Sequence, residues 1–119
     1  MKLMQAVAAL AALAQATRLG VYRLLVERGT GGLPAGEIAA RLGVAPATLS
    51  FHLKELSHAG LVASRQDGRF VYYAADFAAM HDLLEYLSKN CCASEGGTCA
   101  PAELVRRRTA HRPRARASA

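Results

Sequence analysis

Three cysteines stand within nine positions of one another, at Cys91, Cys92 and Cys99, and the chain has no others. Thiolates are soft ligands. Three of them converging from a flexible segment suit a thiophilic ion that accepts three sulfurs, such as trivalent arsenic or antimony. Adjacent residues in a regular helix project about 100° apart, so Cys91 and Cys92 can share an ion only where the helix frays. Gly96-Gly97 would then let the chain turn back to bring in Cys99. Structural zinc prefers four ligands and a Cys-x-x-Cys spacing, which is absent; His111 could supply a fourth ligand but sits in an arginine-rich stretch. An odd cysteine count argues against a disulfide framework. Another soft metal and a redox switch on the vicinal pair stay open as alternatives.

A second set of residues has chemistry for nucleic acid. From Pro34 to Val62 the spacing predicts two short helices at a tight turn. Ile38, Ala39 and Leu42 recur at helical spacing before Gly43, and Leu49, Leu53 and Leu56 recur after Pro46, with Gly60 as the stop. The opposite face of the second helix is expected to carry Thr48, Ser50, Phe51, His52, Lys54 and Glu55. Hydroxyls, an imidazole and a lysine at the start of such a helix suit a DNA major groove, whereas a plain helical hairpin would leave them solvated. Asp67-Gly68 then separates two β-rich runs, and both residues are expected at the turn with positive φ. Arg65 and Arg69 would flank the tip of this wing and reach phosphates or a minor groove.

The run ATLSFHLKELSHAGLV followed by DGRFVYY resembles the winged-helix repressors of the ArsR/SmtB family, over roughly residues 13–87. The resemblance implies a mainly α, winged helix-turn-helix fold with a two-stranded β-hairpin wing, a homodimer formed through the first and last helices, and double-stranded operator DNA as partner. Many relatives carry Cys-x-Cys on the third helix; Ala39 and Ala40 stand there instead. Others bind zinc with Asp and His on the last helix; this one, expected from the N-cap Asp76 to Asn90, offers His81, Asp82 and Glu85 without the second histidine. A subgroup of arsenic-responsive repressors carries Cys-Cys and a third cysteine after the last helix. Cys91, Cys92 and Cys99 match it, as does the preceding Leu-x-x-Asn-Cys-Cys context. The resemblance thus implies a metalloid-responsive repressor with arsenic or antimony as inducer and no catalytic cofactor. A regulator responding to another soft metal or to thiol oxidation, and a protein-interaction module without DNA, are the competing readings.

The elements that must position these residues fill one domain of 119 residues. Its net charge of +6 is not spread evenly: nine Lys and Arg balance nine Asp and Glu through residue 103, and six arginines follow without an acid. DNA affinity in the body therefore depends on where Lys54, Arg65 and Arg69 stand. Leu3, Val7, Leu10 and Leu13 or Ala14 predict an N-terminal helical stripe that needs a second subunit to cover it. The stretch imitates a signal peptide, but Gln5 and Gln15 interrupt it and it is expected to run without a break into Thr17-Arg18-Leu19. Leu19, Tyr22, Leu25 and Val26 are expected to face the core, and Phe77, Met80, Leu83, Leu84 and Leu87 to form the last helix's apolar stripe. No run is long enough to span a membrane, and a cytoplasmic location is expected. There is no phosphate loop or nucleophile–base constellation, so an enzyme is not expected. The domain organisation is then 1–90 for DNA binding and dimerisation, 91–102 for the inducer segment, and 103–119 for a polar Arg-rich tail expected to be disordered.

Overall fold

Small residues begin the architecture. In helix α1 (Leu3–Leu13) the buried positions are Ala6, Ala9 and Ala12, spaced to put bare methyls on one face. That face lets α1 lie close to helices α2 (Ala16–Arg28) and α4 (Pro46–His58). The computed structural model describes residues 1–95, as two compact units, Met1–Leu87 and the segment from Ser88.

A sharp bend separates the N-terminal stripe from the helix that follows. Ala14 leaves the helical region and α1 and α2 meet at 101°. Gln15 makes the break a proper helix start, because its side-chain oxygen accepts the Arg18 backbone N–H at 2.8 Å. The new axis turns Val21, Tyr22 and Leu25 inward and leaves Leu19 45% exposed, so Leu19 is not a core residue as its periodicity suggested. Among the described residues no single helix is long and apolar enough to cross a membrane.

After α2 the chain enters β1 (Leu33–Pro34), then α3 (Ala35–Leu42), which closes on Gly43 at φ 66° in the left-handed region glycine tolerates. α4 follows with Pro46 in its first turn, then β2 (Val62–Asp67), β3 (Phe70–Ala75) and α5 (Phe77–Ser88). The strands form an antiparallel sheet in the order β1-β3-β2, one strand more than the expected hairpin. β1 pairs Leu33 with Tyr73. Gly32 permits that approach: at φ 72°, a Cβ there would lie 2.4 Å from the Tyr73 carbonyl oxygen.

Leu25, Leu33, Ile38, Leu49, Leu56, Leu61 and Val21 are wholly enclosed and form the centre into which α4 packs. Asp76 caps α5 through Oδ1, which accepts the Ala79 N–H at 3.0 Å. Of the stripe expected on α5 only Leu83 is buried; Leu84 and Leu87 remain more than half exposed. Leu3, Met4, Val7 and Leu10 are likewise exposed along α1. Helix α5 ends at Ser88 rather than Asn90, and Ala93–Glu95 form a single 3-10 turn.

Candidate nucleic-acid interface and thiol site

Helix α4 buries Leu49, Leu53 and Leu56, which fixes its rotation about its own axis. Thr48, Ser50, Phe51 and Lys54 are exposed as a consequence, and Glu55 is half-buried. His52 is not on this outer face. It is 8% exposed, with Nδ1 3.2 Å from Nη1 of Arg18. The reason is register: position 52 lies three residues after Leu49 and four before Leu56, within the buried stripe. Hydrophobic patterning misread it because a polar residue occupies a core position, with its partner 34 residues away. Phe51 is 55% exposed, and its ring meets His52 edge-on at 5.5 Å.

The wing turns one residue later than expected. Asp67 pairs with Phe70, so Gly68 and Arg69 are the two central residues, and of these only Gly68 has positive φ. Glycine at the first central position suits the twist of a two-residue hairpin. Arg69 therefore sits in the turn itself, exposed. Arg65 is further in, opposite Tyr72. Its Nη2 donates to the Gly31 carbonyl at 2.8 Å, its guanidinium lies 4.9 Å from the Tyr72 ring centroid, and Nη1 is 3.7 Å from the Asp67 carboxylate. These contacts brace Arg65 against its own fold. Phe70 is 56% and Val71 39% exposed on the wing, a feature that strand periodicity alone did not single out.

Beyond α5 the backbone enters left-handed geometry twice, at Asn90 (φ 60°) and Cys92 (φ 61°). Asparagine visits this region readily, whereas at Cys92 it costs about 1–2 kcal/mol. The result is that two side chains which diverge in a helix come together: the Cys91 and Cys92 sulfurs are 3.5 Å apart and both residues are exposed. Backbone bonds Cys91 N–H to Ser88 O at 3.0 Å and Glu95 N–H to Cys92 O at 2.9 Å hold the turn. Such a separation is close to the roughly 3.8 Å edge of a tetrahedral thiolate site built on metal–sulfur bonds of about 2.3 Å. Cys99, Gly96-Gly97 and the arginine tail lie outside the described residues. Among the described residues no three His, Cys, Asp or Glu side chains are grouped to hold a metal ion, and His81, Asp82 and Glu85 are exposed.

One buried group stands apart from both surfaces. The Tyr22 hydroxyl has no hydrogen-bond partner among the described residues, and burial, with a smaller contribution from Asp76, raises its pKa.

Comparison with known proteins agrees with this geometry. Residues 13–65 match a helix-turn-helix domain family. The transcriptional activator HlyU of Vibrio cholerae is 31% identical over 88 residues, covering 74% of this chain and 79% of that protein. An uncharacterised HTH-type regulator of Bacillus subtilis, YceK, is 38% identical over 61 residues, 51% of this chain but only 60% of that protein. A homodimeric winged helix-turn-helix DNA-binding fragment from Mycobacterium bovis, a possible ArsR-family transcriptional regulator, superposes with TM-score 0.59 at 30% identity, over 74% of this chain and 82% of the other. A possible transcriptional regulator for arsenical resistance superposes with TM-score 0.55 at 32% identity, over 67% and 83%. These relatives are regulators of transcription rather than enzymes, and the chain belongs to the ArsR/HlyU-type winged-helix transcriptional regulators.

Proposed function

We propose that this regulator is a metalloid-responsive repressor that binds operator DNA as a homodimer and releases it when trivalent arsenic or antimony is held by Cys91, Cys92 and Cys99. The observation that carries the reading is the 3.5 Å separation of the Cys91 and Cys92 sulfurs in an exposed turn three residues past α5. Arsenite reaches such a site by exchange: three thiols lose their protons, three As–S bonds form, and three hydroxyls leave as water. Thr48 and Ser50 are assigned to base edges, Phe51 to a thymine methyl, and Lys54 and Arg69 to phosphate or guanine. Arg65 orients the wing, and His52 makes no base contact. The uncovered apolar faces of α1 and α5 are assigned to the partner subunit. The homodimeric Mycobacterium bovis fragment and the arsenical-resistance neighbour support this reading.

Thiol oxidation is the second reading, since two exposed sulfurs at this distance are also close enough to react. It would pass two electrons and two protons from the thiols to a peroxide. Adjacent Cα atoms, however, are about 3.8 Å apart, whereas disulfides span about 4.4–6.8 Å, so a vicinal disulfide is strained. A trithiolate has no such constraint.

The test is the mobility of a duplex from the gene's own promoter region with and without arsenite, in wild type and single Cys→Ser variants. A coupling of about 1–3 kcal/mol corresponds to operator affinity reduced about 5- to 150-fold. Each variant is expected to lose the arsenite response. Full response in all three sinks the site, and release by peroxide but not by arsenite selects the oxidation reading.

A further inference from the structure

The buried histidine of the recognition helix is tied to the end of the helix assigned to dimerisation by a single arginine. Arg18 Nε donates to the Ala12 carbonyl at 2.7 Å, where α1 is ending, and Nη1 lies 3.2 Å from His52 Nδ1. The Arg18 backbone N–H is itself fixed by the Gln15 side chain at 2.8 Å. A guanidinium has donors only, so in the contact with His52 it is Nδ1 that accepts. The ring so held meets Phe51 edge-on, and Phe51 is the large apolar side chain on the exposed face of α4. Leucines at 49, 53 and 56 set how deeply α4 is buried but are non-directional, whereas two hydrogen bonds from one planar fork fix rotation and register.

We infer that Arg18 and His52 are positioning residues for DNA reading: they lock the rotation of α4 and the direction of Phe51 relative to α1, without touching DNA. The proposal rests on the DNA-reading role of α4.

The test begins by selecting the preferred site of the wild-type protein from random duplexes. His52→Asn keeps an acceptor where Nδ1 was, while His52→Gln carries its amide one bond further out. Arg18→Lys keeps the charge but cannot make both bonds from one fork. His52→Gln and Arg18→Lys are expected to lose about tenfold in affinity for the selected site, the scale of one charge-assisted hydrogen bond, with affinity for random duplex unchanged. His52→Asn is expected to keep most of the preference. Equal specific-to-random ratios in the two amide variants, or parallel losses on both kinds of DNA, would overturn the proposal. So would a His52→Gln protein that is unfolded by circular dichroism while His52→Asn is folded, because the acceptor would then serve the fold alone. A wild type that selects no sequence at all would overturn the DNA-reading role itself, a result distinct from any of these.

Discussion

If α5 forms part of a subunit interface, Leu87 is where its cost can be worked out. The residue keeps 56% of its surface in water within one chain. Full burial of a leucine stabilises by about 1.5–3 kcal/mol, so covering the remaining half contributes about 0.8–1.7 kcal/mol per copy. A two-fold axis counts the residue twice. Leu87→Ala retains one methyl of that gain, which leaves a loss of about 1–3 kcal/mol per dimer, or a dissociation constant raised about 5- to 150-fold. Sedimentation equilibrium over a concentration series reads this directly. Phe70→Ala is the control, because Phe70 is equally exposed, at 56%, but stands on the wing. A dissociation constant shared by Leu87→Ala and wild type, or a dimer weakened as much by Phe70→Ala, would rule out a subunit interface on α5.

Gly32→Ala should destabilise the fold by about 2–4 kcal/mol, adding a left-handed backbone penalty to the displacement of the Tyr73 carbonyl, while Gly31→Ala, with open space around it, should change little; urea unfolding distinguishes them. Tyr22→Phe should be neutral or stabilising by about 1 kcal/mol at pH 7, since it removes a buried hydroxyl without a partner. The raised pKa of Tyr22 also has a sign: above about pH 10 the unfolded chain loses its proton first, so wild-type stability should fall as pH rises there and the Phe variant should lack that part of the decline in a pH series of thermal melts. Arg69→Ala should lower affinity for specific and random DNA alike and reduce the salt slope by about one, whereas Arg65→Ala should mainly loosen the wing, seen as faster proteolysis at the hairpin.

Local rules were legible and distant ones were not. The stripe of Leu49, Leu53 and Leu56, the left-handed stop at Gly43 and the Asp76 cap all follow from spacing and backbone preference, and each stands where expected. The hairpin was visible but its register was not, because Asp67-Gly68 can be read with either residue first in the turn, and pairing of Asp67 with Phe70 settles it. Strand β1 has two residues and no periodicity; it exists because Gly32 lets the chain approach Tyr73. The bend after α1 carries neither Pro nor Gly, and only the Gln15 side chain marks it. His52 was misplaced for a related reason: its burial depends on Arg18, a contact that no window along the chain contains. The three cysteines were conspicuous by type, but the approach of the first two depends on left-handed backbone at Asn90 and Cys92, which residue type alone does not demand.

If the proposed thiolate site holds the inducer, the same contacts offer a path from it to DNA. The chain runs from the Cys91-Cys92 turn back into α5 within three residues, and α5 is capped at its start by Asp76, whose N–H donates to the Leu61 carbonyl at 2.8 Å. Leu61 stands three residues after the last residue of α4 and is itself wholly enclosed. A rotation of α5 about its axis would therefore pull on the roots of both α4 and the wing, with Arg18 resisting from the side of α1. The coupling required for release is about 1–3 kcal/mol, no more than one charge-assisted hydrogen bond and a partly buried leucine together supply. Large rearrangement is unnecessary; a shift that weakens the Arg18–His52 bond in each subunit is of the right size. On this account His52→Gln should bind operator more weakly and also show a smaller further loss when arsenite is added, because part of the released state is already populated. A variant with weakened operator affinity but the full wild-type fold-change on arsenite would place the coupling elsewhere, and the Asp76–Leu61 junction alone would then have to carry it.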